Sequence, residues 1–235
     1  TACSSSAKVF AAAARMMDAG IVDAAVVGGV DSLCMTTLYG FKSLELVCGD
    51  ICRPFDAHRN GLSIGEAAAF ALLQREPQQV QAWLLGAGET SDGHHMSSPH
   101  PEGAGAAAAM RGALAQAGLQ PQDVDYLNLH GTGTPGNDAA EALAVNTVFG
   151  ATLPCSSTKG YTGHTLGAAG GLEAAVCLLA LQHGFMPAGL NVTTPDPALR
   201  VNYLREPREQ VLRVVASNSF GFGGSNASLV FGAAQ

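Results

Sequence analysis

Blocks of apolar residues along the chain have two lengths, and each length predicts a different element. The alanine-rich stretch at 7–19 ends at Gly20, which predicts a buried helix closed by a glycine. The shorter apolar run at 24–30 predicts an interior strand, and residues 66–74 predict another. The segment between these two strands shows neither pattern, so we predict an irregular connection there.

The same alternation continues to the carboxyl end. Further helices are predicted at 103–118, 138–149 and 165–183, and further strands at 124–129, 153–156, 213–217 and 227–231. Strands that alternate with helices are typical of a mainly parallel or mixed sheet with helices on both faces and functional loops at the strand ends. The sequence therefore predicts the α/β class.

Composition and charge exclude several classes of protein. Of the 235 residues, 47% are hydrophobic and 13% are charged, which predicts a large buried core. A net charge of -7 with only 12 Lys and Arg argues against nucleic acid as a partner. No apolar run approaches the ~20 residues that span a bilayer, so we predict no membrane span and a cytoplasmic location. The six cysteines have uneven spacings and predict free thiols, and no second pair follows Cys48 and Cys52 to complete a metal site.

Cys3 lies at the N-terminus of the first predicted helix, directly after Thr1 and Ala2. The dipole and the free amide groups at a helix N-terminus stabilise a thiolate, which is the nucleophilic form of cysteine. This placement makes Cys3 a candidate nucleophile. The alternative is an inert buried cysteine, which is the commoner fate of this residue.

Two histidines lie at a strand end and at a helix start, where functional side chains are commonly found. His130 ends a predicted strand and opens the glycine-rich turn at 131–136, and His164 lies at the start of an apolar helix rich in small residues. A helix N-terminus disfavours the imidazolium form, so a neutral ring that donates from one nitrogen is expected at His164. A histidine hydrogen-bonded within a turn is the alternative for His130.

Residues 218–226 follow a predicted strand and contain three glycines among polar and aromatic residues. We predict a tight loop that presents backbone N–H groups and is able to bind an oxyanion. A purely structural turn is the alternative, and the absence of a nearby lysine or a dinucleotide spacing argues against a phosphate loop.

Taken in order, four segments resemble the signatures of the β-ketoacyl-[acyl carrier protein] synthases. They are TACSSS at 1–6, HGTGTP at 130–135, Lys159 with GHTLGAAG at 163–170, and NSFGFGG at 218–224, with further similarity at 53–61 and 91–97. The resemblance implies a thiolase-like layered αβαβα fold, of which this chain covers the part from the nucleophile helix through the carboxyl-terminal half. It also implies a division into the end of the amino-terminal half, 1–75, and the carboxyl-terminal half, 76–235.

The resemblance further implies a decarboxylative Claisen condensation in fatty acid synthesis. Cys3 would accept the acyl chain, and His130 and His164 would stabilise the enolate formed as malonyl-[acyl carrier protein] loses its carboxylate. The backbone amides of Cys3 and Phe222 would hold the oxyanion, and Lys159 would support the histidine pair through Glu141. Cys3 is expected to need no dedicated base, because the helix dipole would lower the pKa of its thiol.

Other positions take roles from the same resemblance. Thr132 and Thr134 would contact substrate, Phe220 would be the gating aromatic, and Asp92 and His95 would belong to a second mobile loop, for which a simple exposed loop is the alternative. A structural monovalent cation is expected among the carbonyls of Asn128 and Leu129 together with Glu173, Ser217 and Asn218. An ordinary paired carboxylate is the alternative for Glu173. No other cofactor is expected.

The expected partners are an acyl carrier protein with phosphopantetheine-linked substrates and a second subunit of the same fold, in a homodimer or a heterodimer. Family members carry an amino-terminal half before the nucleophile, so exposed strand edges and apolar surface are expected in this chain. A polyketide or other specialised-pathway ketosynthase is an alternative function, and so is an inactive fragment or scaffold subunit. A degradative thiolase would need a second catalytic cysteine near the carboxyl end, where the last cysteine is Cys177.

Overall fold

A computed structural model describes residues 1–234. The helices are α1 (Ser5–Asp18), α2 (Met35–Ser43), α3 (Ala104–Ala117), α4 (Pro135–Phe149), α5 (Lys159–Thr162) and α6 (Ala169–His183). The strands are β1 (Ala24–Asp31), β2 (Ala67–Gln74), β3 (Ala82–Ser91), β4 (Tyr126–Asn128), β5 (Pro154–Ser156), β6 (Phe185–Met186), β7 (Asn202–Tyr203), β8 (Arg208–Glu209), β9 (Val214–Gly221) and β10 (Ser225–Ala233). Every strand and helix predicted from the sequence occurs, in the predicted order.

The central sheet has the strand order β3-β10-β9-β4-β5-β7 and is mixed. β9, β4, β5 and β7 run parallel to one another, whereas β10 is antiparallel to both β3 and β9. All three residues of β4 are buried, and so is nearly all of β9 and β10. Strands buried on both faces need a helical layer on each side, so the predicted α/β architecture is confirmed.

Two apolar cores lie on the two faces of this sheet. α3 and α4 cover one face, with Met110 and Val145 among their buried side chains. α1 and α6 cover the other face, where Phe10 packs edge-on against Phe231 of β10 with ring centroids 6.1 Å apart. The carboxyl ends of the parallel strands therefore open onto loops held between two layers of helices.

β1 and β2 form a separate antiparallel pair that packs against α1 and α6 on one side. Val26 lies opposite Leu72, and their side chains share the other face of the pair with Val30 and Phe70. All four are exposed, Phe70 to 66%. The expectation of exposed apolar surface is met on this face, which residues 1–234 leave uncovered.

Six elements escaped the sequence-based predictions, and one helix is interrupted. Four of the six, α5, β6, β7 and β8, have only two to four residues and leave no periodic pattern in the sequence. The segment predicted to be irregular contains α2, a helix of nine residues that buries none of them. β3 was also missed, because glycines and polar residues fill its second half. The helix predicted at 165–183 begins as a separate 3-10 turn, Leu166–Ala168, because Leu166 takes a left-handed conformation with φ of 49°.

By length and composition alone, Leu166–His183 has the character of a helix that crosses a membrane, with a mean hydropathy of 1.3. Slightly more than half of it is buried, and it contacts α1, β2 and β9. It also carries Glu173, whose charge is paired with Lys159 inside the protein. A helix that packs against other elements and holds a buried ion pair is a core helix, and we interpret this segment in that way.

Close approach between α1 and α6 depends on Gly170. A Cβ atom at this position would lie 2.5 Å from the Ala7 backbone nitrogen and 2.6 Å from the Ala7 Cβ. We expect Gly170→Ala to lower the free energy of unfolding by about 1–3 kcal/mol, because overpacking forces two helices apart. Urea denaturation measures this change. The matched control is Gly40→Ala in α2, where a Cβ meets nothing within 4 Å and alanine should stabilise by about 0.5–1 kcal/mol. Equal changes in the two variants would contradict the proposed helix contact.

Candidate active site

Cys3 lies in a strained turn rather than in a regular helix. It belongs to the 3-10 turn Ala2–Ser4 that leads into α1, and Ala2 takes a left-handed φ of 48°. β9 passes so close that a Cβ on Gly221 would lie 2.6 Å from the Thr1 carbonyl oxygen and 3.1 Å from the Cys3 nitrogen. Non-glycine residues in this conformation concentrate at functional sites, and Gly221 is what allows the two backbones to meet.

His130 lies two residues beyond the end of the buried strand β4, with Leu129 between them. The Glu141 carboxylate on α4 accepts the backbone N–H groups of His130 and Gly131 at 2.8 and 2.7 Å. It also accepts the Asn218 side-chain amide at 3.1 Å. Glu141 therefore fixes the backbone at the start of the glycine-rich turn and so the direction of the His130 ring.

His164 lies between α5 and the 3-10 turn before α6. Its backbone N–H donates to the Ser63 carbonyl at 2.7 Å, and its carbonyl accepts the Gly65 N–H at 3.0 Å. The rings of His130 and His164 meet edge to face, with centroids 5.2 Å apart and planes at 85°. The tertiary structure thus brings together two histidines that are 34 residues apart in the sequence.

Lys159 is buried directly beside this pair. Its ammonium forms an ion pair with Glu173 on α6 and lies 3.4 Å from Nδ1 of His130. The prediction that Lys159 acts through Glu141 is wrong, because the oxygens of Glu141 accept hydrogen bonds from backbone N–H groups and from the Asn218 amide instead. Lys159 contacts His130 directly, and its carboxylate partner is Glu173.

Both His130 and His164 are held in the neutral form. Burial, aided by the charge of Lys159, lowers the pKa of His130 and the pKa of His164 well below the usual value. An ammonium has donors only, so Nδ1 of His130 accepts and its proton resides on Nε2. A neutral ring of this kind can donate a hydrogen bond to a carbonyl oxygen. Unfolding frees both rings to bind protons, so acidification below about pH 6.5 should weaken the fold.

The thiol of Cys3 is less acidic than the sequence indicated. Burial raises the pKa of Cys3 to about 11, although the Lys159 charge and the Phe222 backbone N–H, which donates to the sulfur, both act to lower it. The expectation that a helix dipole would depress this pKa is wrong, because desolvation outweighs the stabilising groups. The resting protein therefore carries a protonated thiol, and its backbone donor from Phe222 is already in place.

We expect alkylation of Cys3 by iodoacetamide to accelerate about tenfold per pH unit between about pH 7 and pH 10 without a plateau, since the thiolate fraction rises throughout that range. Exposed Cys34 must be removed first, because hydrogen bonds from Thr37 lower the pKa of its thiol. Peptide mapping in a Cys34→Ser background gives the rate at Cys3. A plateau below about pH 9 would show an acidic thiol and contradict the effect of burial.

A cavity of about 420 Å³ joins these groups. Its walls include these predicted site residues: Cys3, Asp92, His130, Thr132, Thr134, His164, Phe220 and Phe222. The hydroxyls of Thr132 and Thr134 are hydrogen-bonded to each other at 2.8 Å. The apolar wall formed by Phe41, Leu46 and Leu62 comes from the segment predicted to be irregular.

The loop that contains Asp92 is tied to the turn that contains Phe222. β9 continues to Gly221, so the loop predicted at 218–226 reduces to a turn at 222–224. The Asp92 N–H donates to the Gly224 carbonyl at 2.8 Å, and the Gly223 N–H donates to the Met96 carbonyl at 2.7 Å. His95 is exposed and does not line the cavity, and its Nδ1 accepts the Ser97 N–H at 3.2 Å. Of the two residues predicted in this loop, Asp92 alone reaches the cavity.

Within the described part of the chain, three buried oxygens without a hydrogen-bond partner belong to the end of β4, the middle of β9 and helix α6. Among residues 1–234, no donor reaches Asn128 Oδ1, Asn218 Oδ1 or Glu173 Oε2. Asn128 lies beside Ser217 in the parallel register of the two strands. Glu173 gives its other oxygen to Lys159, so one carboxylate oxygen remains for a further ligand. Oxygen donors of this kind suit a hard cation.

Two family models match the chain. The model described as the beta-ketoacyl synthase N-terminal domain matches residues 1–79, and the model of the beta-ketoacyl synthase C-terminal domain matches residues 81–193. Both descriptions agree with the resemblance found in the sequence motifs. The division predicted at 75/76 stays a prediction.

Several known proteins are similar to the chain in sequence or in fold. The mitochondrial 3-oxoacyl-[acyl-carrier-protein] synthase of Arabidopsis thaliana is 41% identical over 98% of the chain, and nodulation protein E of Rhizobium meliloti is 38% identical over 98%. The structure of the ketosynthase ApeO in complex with its chain length factor ApeC from Xenorhabdus doucetiae superposes with a TM-score of 0.96 at 48% identity over the whole chain. The chain spans 55% and 60% of the two relatives and 59% of ApeO.

Proposed function

The chain belongs to the β-ketoacyl synthase family of the thiolase-like superfamily, and from this membership we propose that it carries the condensing site for an acyl thioester and malonyl-[acyl carrier protein]. One observation carries the proposal. A single cavity gathers a thiol with a backbone donor and two neutral histidines backed by a buried ammonium. Fatty acid synthesis is the pathway we propose first, and the Arabidopsis relative, named a 3-oxoacyl-[acyl-carrier-protein] synthase, is consistent with a substrate bound to a carrier protein.

In the first half of the proposed reaction, the Cys3 sulfur attacks the carbonyl carbon of the acyl thioester. A carbon–sulfur bond forms to Cys3, the bond to the carrier thiol breaks, and the carrier thiol leaves with the proton that Cys3 loses. The Phe222 N–H that reaches the sulfur is placed to stabilise the oxyanion of the tetrahedral intermediate. The product is an acyl-enzyme and free carrier thiol.

In the second half, malonyl thioester loses CO₂, and the bonding electrons form an enolate. Neutral His130 and His164 donate hydrogen bonds to its oxygen, and the Lys159 charge stabilises the developing negative charge. The enolate carbon attacks the acyl carbonyl, the carbon–sulfur bond to Cys3 breaks, and the released thiolate takes up one proton. A 3-oxoacyl thioester two carbons longer than the primer results.

The orphan oxygens at β4 and β9 fit a structural monovalent cation, which we propose is held by Asn128, Glu173, Ser217 and Asn218 with the Leu129 carbonyl. Its positive charge would offset the buried carboxylate oxygen of Glu173 that Lys159 does not reach. The role of this cation would be structural, since none of these five residues lines the cavity. Cys3, His130 and His164 do the proposed work on substrate.

The test is incubation with a saturated acyl-[acyl carrier protein], followed by intact mass and peptide mapping, and then addition of malonyl-[acyl carrier protein]. We expect an acyl group on Cys3 alone, then release of one CO₂ and one 3-oxoacyl thioester per acyl group consumed. Equal labelling of all six cysteines, or loss of the acyl group as free acid without CO₂ release, would overturn the proposal. The second outcome would indicate a thioesterase.

A second candidate function is supported by the higher identity, 48%, to a ketosynthase solved with a chain length factor. Under this alternative, the chain acts in a polyketide or other specialised pathway and works beside a second subunit of the same fold. The two candidates differ in the product of prolonged incubation. If the protein alone extends a saturated primer once, fatty acid synthesis is supported. If the primer is extended through several rounds, and only when a second subunit is co-purified, the alternative is supported.

A further inference from the structure

Asp31 is the last residue of β1, and its carboxylate reaches the backbone just after His164. Its Oδ2 accepts the Gly167 N–H at 2.6 Å. A Cβ on Gly167 would lie only 2.8 Å from the same oxygen and 4.0 Å from the Ala2 carbonyl oxygen. Gly167 therefore lies close both to the Asp31 carboxylate and to the turn that contains Cys3.

The turn that Asp31 contacts is conformationally unfavourable. Leu166 takes φ of 49°, a region that a leucine avoids unless its surroundings hold it there. Residues 63–65 hold the amino side of this segment through two backbone bonds to His164. Asp31 holds the carboxyl side through Gly167. A charge-assisted bond to a backbone N–H is stronger than a neutral one, so Asp31 suits this task.

We propose that Asp31 is a positioning residue that holds His164 in place through its hydrogen bond to the Gly167 N–H. The proposal rests on the proposed condensing function. The charged groups that act on the Cys3 sulfur are Lys159, Asp31 and Glu173, and of these the two carboxylates raise its pKa. We therefore expect Asp31 to affect both halves of the reaction. Its hydrogen bond to Gly167 acts on the step that uses His164, and its charge acts on the acylation of Cys3.

The two effects separate in two substitutions. Asp31→Asn keeps an oxygen that accepts the Gly167 N–H but removes the charge, whereas Asp31→Ala removes both. The matched control is Glu66→Gln, which removes one charge from a neighbouring carboxylate that accepts the Leu33 N–H at 3.0 Å and does not contact the His164 turn. All variants are made in the Cys34→Ser background, and circular dichroism confirms that each has folded.

Two measurements report on the two half-reactions. Iodoacetamide alkylation of Cys3 at fixed pH measures its thiolate fraction. Release of CO₂ from malonyl-[acyl carrier protein], added after Cys3 has been fully acylated, measures the histidine half. We expect both Asp31 variants to alkylate about two- to fivefold faster than the parent, the effect of removing one nearby negative charge. We expect CO₂ release to fall at least about tenfold in Asp31→Ala and to stay within about threefold of the parent in Asp31→Asn.

The outcomes distinguish this inference from the proposed function. If the parent protein neither acylates Cys3 nor releases CO₂, the proposed function fails. If the parent is active and Asp31→Ala releases CO₂ at the parental rate, Asp31 does not position His164. If Asp31→Asn loses as much CO₂ release as Asp31→Ala, the hydrogen bond is not the cause. If Glu66→Gln accelerates alkylation as much as Asp31→Asn, general surface charge accounts for the effect on Cys3.

Discussion

Cys3→Ala is expected to abolish acyl transfer, with a loss of at least about a thousandfold in condensation rate, because removal of a nucleophile leaves no covalent route. The fold should be unaffected. Alanine keeps the backbone of the strained turn and removes only one sulfur from the cavity wall. His130, His164 and Lys159 remain in place, so the variant should still release CO₂ from malonyl-[acyl carrier protein]. A combined assay of product and CO₂ measures both activities.

The control for this substitution is Cys177→Ala, which removes a buried thiol that lies outside the cavity. Its expected effect is a loss of stability rather than of chemistry, since it opens a small void in the core beneath β9. Condensation by Cys3→Ala within tenfold of the parent rate would show that another group is the nucleophile. Condensation lost equally in both variants would show that the assay reports unfolding.

Lys159→Met is expected to lower the free energy of unfolding by about 3–5 kcal/mol, because it leaves the Glu173 carboxylate buried without its cation. It should also slow the chemistry. The Lys159 charge lowers the pKa of Cys3, so its loss raises that pKa further and reduces the thiolate fraction at any pH below it. Loss of the donor to Nδ1 of His130 frees that ring to change tautomer. Urea denaturation and Cys3 alkylation measure the two effects.

A double-mutant cycle with Glu173→Gln isolates the pair. Each single variant strands one buried group, so the double variant should be more stable than the sum of the two single losses predicts, by about 0.5–3 kcal/mol. Glu141→Gln serves as the comparison, since Glu141 bonds the backbone of His130 and Gly131 and makes no contact with Lys159 within residues 1–234. A coupling between Lys159 and Glu141 as large as that between Lys159 and Glu173 would contradict the observed pairing.

Particular residues show how far the sequence alone predicts the site. Cys3, His130 and His164 were found because reactive side chains next to strand ends and helix starts leave a pattern of glycines and small residues around them. Glu141 was correctly placed near His130, but its contacts were predicted wrongly. Glu141 follows His130 and Glu173 follows Lys159, and spacing along the chain does not show which of the two carboxylates pairs with Lys159. Asp31 left no signal at all, since a single aspartate at a strand end is common.

The sequence itself determined the α/β class, the family and the order of the longer strands and helices, because periodicity and motifs are local properties of a chain. It also singled out Cys3, His130 and His164 as candidates for the chemistry. The tertiary structure alone decided which buried carboxylate pairs with Lys159, and that Phe41, Leu46 and Leu62 form the apolar wall of the cavity. It also decided the ionisation of Cys3, whose pKa burial raises to about 11. Desolvation depends on everything that surrounds a group in space, and residues far apart in the sequence provide most of those surroundings.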